Sequence, residues 1–358
     1  MVGGFLGAGK TTTIGKLAAH YTAQGKTIAL VTNDQAYNLV DTETLRGQGF
    51  QVGEVPGACF CCKFDDLLST VDSLTEERIP DIIIAEPVGS CTDLVATVIE
   101  PMKQLFGDRF ETGPLVVLLK PSHGKKILAD SPQKGFSPKA AYIFLKQLEE
   151  ADAIAINKAD RLKPEDLAEL KRLAKERFPE KEVFAMSART AQGFEDFIAA
   201  CEADPIDRAA MMEMDYETYA QGEAELGWLN CVVKASSAGE AFDLDTVVLS
   251  LVDAIGDKLT STGAEIAHLK ILGQTLQSSA VANRVSSDVP AELSLASEIK
   301  TNQAELLVNA RVAIDPSDME SIVGAATVAV CSDLQIEGVV GEMQSFRPGK
   351  PEPTHRIQ

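Results

Sequence analysis

A doubly wound, mostly parallel α/β sheet followed by a smaller α+β domain is the fold class this sequence predicts. Three observations carry it. Over the first ~200 residues, short apolar runs alternate with helical patterns. A glycine-rich phosphate-loop pattern opens the chain and runs straight into a helix. After an acidic, methionine-rich stretch over residues 205–225, the order of elements changes to β-α-β-β-α.

In chain order, the strand signals of the first part are Thr27–Thr32 (TIALVT), Asp81–Ala85 (DIIIA), Leu115–Leu119 (LVVLL), Ala153–Ile156 (AIAI) and Val183–Met186 (VFAM). They are short and nearly all apolar, as strands covered on both faces must be. Pro164–Phe178 starts on a helix-compatible proline and is rich in Leu, Ala, Glu and Lys, which predicts a helix. In the second part, Leu229–Ala235, Ile266–Leu272 and Ala304–Ile314 read as strands, and Leu244–Leu259 and Pro316–Thr327 as helices. Ferredoxin-like is the candidate topology there. The expected organisation is a first domain over 1–204, a linker over 205–225, an α+β domain over 226–330 and an extended tail over 331–358. Three prolines in the stretch from Arg347 (RPGKPEPTHRIQ) favour extended chain.

Composition is that of a globular protein, with 45% hydrophobic and 24% charged residues over 358 positions, enough apolar material for two cores. A formal net charge of −20 repels phosphate backbones, so neither nucleic acid nor an anionic membrane is an expected partner. No signal peptide and no membrane-length apolar run is visible. Seven unevenly spread cysteines fit a reducing compartment, and the expected location is cytoplasmic.

Gly4-Phe5-Leu6-Gly7-Ala8-Gly9-Lys10-Thr11 fits G-x-x-x-x-G-K-[ST]. Its glycines let backbone N–H groups wrap a phosphate, Lys10 reaches the β- and γ-oxygens, and the Thr11 hydroxyl is a Mg²⁺ ligand. The helix pattern from Thr12 aims its positive end at the same anion. Only Met1, Val2 and Gly3 precede Gly4, so the strand that presents such a loop is expected to be nearly absent. A truncated chain, a misassigned start or a sheet lacking an inner strand would each follow from that. Downstream, Ile82-Ile83-Ile84-Ala85 delivers Glu86 to the carboxyl edge of a parallel sheet, where ligands bind. Glu86 is expected to hold Mg²⁺ or orient the attacking water, and Gly89 to donate its N–H to the γ-phosphate.

Ala153–Ile156 leads into Asn157-Lys158-Ala159-Asp160, the N-K-x-D pattern that reads guanine. The Asp160 carboxylate accepts from the guanine N1–H and exocyclic amine, a pair adenine does not offer. Lys158 is expected along the base or against the phosphate loop, Asn157 between segments, and Ser187 and Ala188 beside the guanine oxygen. The nucleotide is therefore GTP or GDP.

Cys59-Phe60-Cys61-Cys62 places three thiols within four positions. At C-x-C-C spacing they converge on one soft or borderline cation such as Zn²⁺, Co²⁺, Ni²⁺ or Cu(I), and three ligands leave a coordination position open for transfer. Cys91, Cys231 and Cys331 read as packing residues, and the remaining histidines as ordinary surface or core residues, with an extra ligand role for His355 as the lesser reading.

Taken with Glu86-Pro87-x-Gly89 and N-K-x-D, the run Gly3-Gly4-Phe5-Leu6-Gly7-Ala8-Gly9-Lys10-Thr11-Thr12 and the C-x-C-C motif resemble the CobW-type metallochaperone GTPases, relatives of the nickel chaperones UreG and HypB. The resemblance covers residues 1 to about 200. It implies a GTP-gated protein that binds a transition metal at Cys59, Cys61 and Cys62, Zn²⁺ or Co²⁺ first, and delivers it to a client metalloprotein or cofactor-synthesis enzyme. Asn33-Asp34 resembles the family's N-[DE], which puts Asp34 near Mg²⁺ or the transferred metal. Departures are Ala58 before the first cysteine and Lys120-Pro121 where a strand-end Asp is common. With no arginine finger evident, turnover is expected to be slow until a partner or homodimerisation raises it. Nucleotide-dependent movement is expected around Asp34–Asp41 and Glu86–Ser90. A regulatory GTPase with structural cysteines and a non-hydrolysing metal-binding protein are the alternatives.

Overall fold

The computed structural model describes residues 1–34, 40–76, 78–129, 136–208 and 210–358. It divides into two compact units. Unit 1 is Met1–Gln35, Gln48–Gly222 and Lys350–Gln358; unit 2 is Ala36–Gly47 and Glu223–Gly349. No helix among the described residues is long and apolar enough to cross a membrane.

Unit 1 is built on seven parallel strands: β1 (Val2–Gly4), β2 (Ile28–Asp34), β3 (Gln51–Pro56), β4 (Ile82–Glu86), β5 (Val116–Leu119), β6 (Ala153–Ile156) and β7 (Glu182–Ala185). They form two ladders, β3-β2-β4 and β1-β5-β6-β7, with β1 alongside β4. β5 and β6 are buried at every position, as their all-apolar sequences demand. β1 is three residues long, yet it holds a full register with β5, Val2 opposite Val116 and Gly4 opposite Leu118. The strand expected to be nearly absent is therefore present, paired along its whole length with β5. Three residues suffice because the glycine-rich backbone lies flush on its neighbour: a Cβ at Gly4 would stand 2.6 Å from the Leu118 carbonyl oxygen.

The helices are, in chain order, α1 (Lys10–Ala23), α2 (Val40–Gly47), α3 (Phe64–Thr75), α4 (Glu100–Phe106), α5 (Pro121–Leu128), α6 (Pro138–Glu150), α7 (Pro164–Arg177), α8 (Phe194–Glu202), α9 (Tyr216–Ala224), α10 (Leu244–Ser261) and α11 (Pro316–Asp333). A five-residue π-helix, Val95–Ile99, runs into α4. Of the segment expected to move with nucleotide, Asp34 ends β2 in unit 1. Residues 35–39 lie outside the described residues. The α2 stretch belongs to unit 2, where Asp41 pairs with Lys270 and Val40 N donates to Asn309 Oδ1 at 3.1 Å.

Unit 2 carries an antiparallel sheet of β8 (Gly227–Ser236), β10 (Ile266–Gln274), β11 (Ser279–Arg284), β12 (Glu292–Leu295), β14 (Gln303–Val312) and β15 (Glu337–Phe346), with β9 (Phe242–Asp243) and β13 (Lys300–Thr301) paired separately. The order β12-β11-β10-β14-β8-β15, with α10 and α11 as crossovers, is a ferredoxin-like split βαβ extended by the β11–β12 hairpin. One apolar face of α10 (Leu244, Val248, Leu251, Val252, Ile255) packs with Leu306 and Val308 of β14. Asp243 starts that helix by accepting from Thr246 N at 2.7 Å, a cap worth about 1 kcal/mol.

The stretch 331–358, expected as an extended tail, is different. It holds the last turn of α11 and the edge strand β15, with 334–336 as the turn between them and 347–358 lacking regular structure. β15 (EGVVGEMQSF) is half exposed and interrupted by glycine, so its pattern is weak.

Candidate nucleotide and metal site

The phosphate loop runs from β1 into α1. Gly4, Gly7 and Gly9 all have left-handed φ, of 133°, 73° and 95°, a backbone conformation that glycine adopts without steric cost and that anion-binding loops use. At Gly9 the constraint is steric too, since a Cβ there would meet Asn157 Nδ2 at 2.6 Å. Lys10 is buried, its Nζ donating to Gly4 O at 3.0 Å, so the ammonium is folded into the loop. Thr11 is buried and donates Oγ1–H to Glu86 Oε1 at 3.1 Å. Thr12 is exposed on α1. Gly89 lies directly against the loop, where a Cβ would come 2.7 Å from the Leu6 side chain. Gln147 of α6, which the sequence reading did not single out, fixes that segment by donating to Gly89 O at 3.0 Å and Cys91 O at 2.8 Å.

Asn157 sits at the end of β6, 1% exposed. It donates to Ala8 O at 2.8 Å and accepts from Lys158 N at 2.8 Å and Ala188 N at 3.0 Å. One amide thus joins the phosphate loop to the loop after β7. Lys158 takes a left-handed turn (φ 62°) into a single 3₁₀ turn, Ala159–Arg161, which leaves Asp160 exposed. Ser187 is fully buried and its hydroxyl accepts from Thr190 N at 3.1 Å. The structure therefore gathers the Gly4–Thr11 loop, Asn157, Lys158 and Ala188 around a common edge, with Glu86 and Gly89 beside it.

The donor set at Thr11 and Glu86, a hydroxyl and a buried carboxylate in hydrogen-bond contact, is hard oxygen chemistry and fits Mg²⁺. Asp34 ends β2, where its carbonyl accepts from Gly57 N at 3.0 Å.

The thiols lie on the turn after β3. Cys62 N and Lys63 N both donate to Cys59 O at 3.0 Å, winding the chain tightly enough that the three Sγ atoms all fall within 4.8 Å of one another. Among the described residues, this is the group in which three His, Cys, Asp or Glu side chains come close enough to share an ion. Asn33 clamps the turn. It donates to Val55 O and Ala58 O, both at 2.7 Å, and accepts from Phe60 N at 2.9 Å. Hydrogen bonding to Cys59 and then to Cys62, reinforced by burial, holds the Cys61 thiol well above its ordinary pKa. Hydrogen bonding to Cys59 also pushes Cys62 up to about 11, while the Glu352 N–H on its sulfur pulls the other way. Crowded thiols resist losing protons singly; a soft cation would take the place of those protons and release them on binding.

Cys231 and Cys331 are core residues of unit 2, and Cys91 is buried in unit 1. His355 packs edge-on against Phe64, with ring centroids 4.9 Å apart.

A family model described as the nucleotide-binding domain of CobW/HypB/UreG matches residues 1–185. The zinc chaperone YeiR of Escherichia coli (strain K12) is 31% identical over 179 residues, 48% of this chain and 49% of that protein. The zinc chaperone CobW of a Sinorhizobium species is 39% identical over 97 residues, 25% of this chain and 27% of that one. The chain thus matches about half the length of the first relative and about a quarter of the second. Among solved structures, HypB from Helicobacter pylori in complex with nickel shares 22% identity at a TM-score of 0.38, over 55% of this chain and 81% of that chain.

Proposed function

Because this chain belongs to the CobW/HypB/UreG family through its nucleotide-binding domain, we propose that it is a GTP-hydrolysing metallochaperone that carries a transition metal on Cys59, Cys61 and Cys62. Zn²⁺ is the first candidate cargo and Co²⁺ the second. The carrying observation is the clamp by Asn33, which fixes the thiol turn to the end of β2 in the same unit as the phosphate loop.

In this reading the Gly4–Thr11 backbone and Lys10 bind the phosphates of GTP, and the exposed Asp160 selects guanine. Thr11 and Glu86 would hold Mg²⁺, which when bound supplies charge neutralisation for phosphoryl transfer. Gly89 follows Glu86 at the loop's edge, so its N–H is the donor for the γ-phosphate. Asn157 keeps the base and phosphate loops in register. No arginine finger is evident in the sequence, so the proposed turnover is slow until a partner or homodimerisation raises it. Delivery goes to a client metalloprotein or cofactor-synthesis enzyme. The proposed division is a GTPase domain over 1–204, a linker over 205–225 and an α+β domain from 226.

The test is Co²⁺ and Zn²⁺ binding by the reduced protein against Cys59/Cys61/Cys62→Ser, each without nucleotide, with GDP and with a non-hydrolysable GTP analogue. The expected result is near-stoichiometric binding that needs the thiols and changes with nucleotide. Binding indifferent to both would leave a regulatory GTPase with structural cysteines.

A further inference from the structure

Cys59 and Cys61 are each 2% exposed. Cys62, the third thiol, is partly exposed, so a metal held by all three sulfurs leaves two closed ones only when something moves. The segment that lies over the thiol turn is Lys350–Gln358, part of unit 1 and remote in sequence from the thiols.

Its contacts fall in two groups. Toward the thiol turn, Glu352 N donates to Cys62 Sγ at 3.2 Å, Thr354 N donates to Cys61 O at 2.8 Å, and Thr354 Oγ1 donates to Cys62 O at 3.3 Å. His355 adds its ring contact with Phe64, the first residue of α3. Away from the turn, Arg356 Nε donates to Asp93 Oδ2 at 2.8 Å and its Nη2 to Met212 O at 2.8 Å, Ile357 N donates to Ala96 O at 2.9 Å, and Lys350 pairs with Glu217 at 3.5 Å. Pro351 and Pro353 alternate with the donors Glu352 and Thr354. The prolines fall where no N–H is used, and they stiffen the segment in extended form.

Asp93 is the anchor of the second group. It is 2% exposed, has a left-handed φ of 64°, and also accepts from Tyr216 Oη at 2.6 Å. It follows Gly89 by four positions on the segment that leaves the phosphate edge. One end of the strap therefore rests on the thiol turn and the other on the segment that follows Gly89.

We propose that Lys350–Gln358 is a strap that covers the thiol cluster, latched by the Arg356–Asp93 ion pair, and that metal enters or leaves only when the latch opens. The metal part rests on the proposed function; the cover itself does not.

The experiment uses the full chain with two variants that open the strap differently. Arg356→Ala removes the latch. Thr354→Pro removes both Thr354 donors. Two rates are read: modification of the reduced thiols by dithiobis-nitrobenzoate without metal, and removal of Co²⁺ by EDTA, followed by loss of the cobalt–thiolate absorption. Each variant is repeated in the Cys59/Cys61/Cys62→Ser background, where only the remaining thiols report. Both variants are expected to speed both rates about tenfold, with Arg356→Lys close to wild type and no acceleration in the serine background. Unchanged rates would overturn the strap, as would acceleration that persists in the serine background, because that is general loosening. If thiol modification accelerates but the wild type takes up no Co²⁺, the strap stands as a thiol cover and the metallochaperone reading falls.

Discussion

The phosphate loop and the thiol turn follow the carboxyl ends of parallel strands in two ladders of one unit, and each is held by a single buried asparagine making three side-chain hydrogen bonds. Asn157 holds the first through Ala8, Lys158 and Ala188. Asn33 holds the second through Val55, Ala58 and Phe60. The difference lies in what else fixes them. The phosphate loop is shaped by its own glycines, three of them with left-handed φ. The thiol turn borrows its cover from residues 352–354. A preformed anion cradle suits a ligand that must be positioned the same way in every cycle. A turn closed by a separable segment suits a ligand that must be let go.

The largest effect is expected at Asn157. Asn157→Ala leaves Ala8 O, Lys158 N and Ala188 N without their partner, at about 1–3 kcal/mol for each group that stays buried. GTP affinity should fall about a hundredfold, roughly 2.7 kcal/mol, while Co²⁺ binding stays near wild type. Calorimetric titration of GTP and of Co²⁺ on the same variant measures both. Equal losses would mean that the two turns are not separately built.

The reciprocal substitution sharpens the contrast. Asn33→Ala frees Ala58 O and Phe60 N on either side of Cys59, so the thiols lose their fixed spacing. Co²⁺ affinity should drop about tenfold, close to 1.4 kcal/mol, with GTP affinity changed less than twofold. The cobalt–thiolate band should also weaken or shift. A variant that lost nucleotide affinity instead would place Asn33 in the phosphate site.

How much of this was readable in advance depended on whether the information was local. β5 and β6 were legible because a strand covered on both faces writes itself as an uninterrupted apolar run. β3 (QVGEVP) and β15 were not, because half-exposed edge strands with glycine and charge carry no clean period. β1 was undervalued, since three residues are a poor sequence signal but an adequate strand when β5 supplies the register. The same division runs through the site. The phosphate loop, N-K-x-D and C-x-C-C are contiguous chemistry. Asn33 was noticed only by resemblance, and its role as a clamp, like those of Gln147, Asp93 and Arg356, depends on partners at least 22 positions away.

The smallest effect on the two sites themselves is expected at the segment Thr92–Val95, which Glu150 holds from the end of α6. Its carboxyl group accepts from Thr92 Oγ1 at 3.0 Å and Val95 N at 3.2 Å. Burial, the largest cause, pushes its pKa from 4.5 up to about 8 against those two donors. The sign follows from which state binds the proton more tightly. Between pH 4.5 and 8 the folded protein keeps Glu150 protonated while the unfolded chain has released that proton. This contribution to stability is therefore complete below about pH 4.5 and is lost as pH rises toward 8. Urea unfolding across that window should show a decline approaching about 1.4 kcal/mol per pH unit from this group. Glu150→Gln, neutral at every pH, should remove that component and flatten the curve. It keeps one acceptor for Thr92 or Val95, so Co²⁺ and GTP affinities measured at one pH should change little. If it alters the two affinities together, the segment carrying Asp93 couples the thiol turn to the phosphate loop, and the two sites are parts of one device.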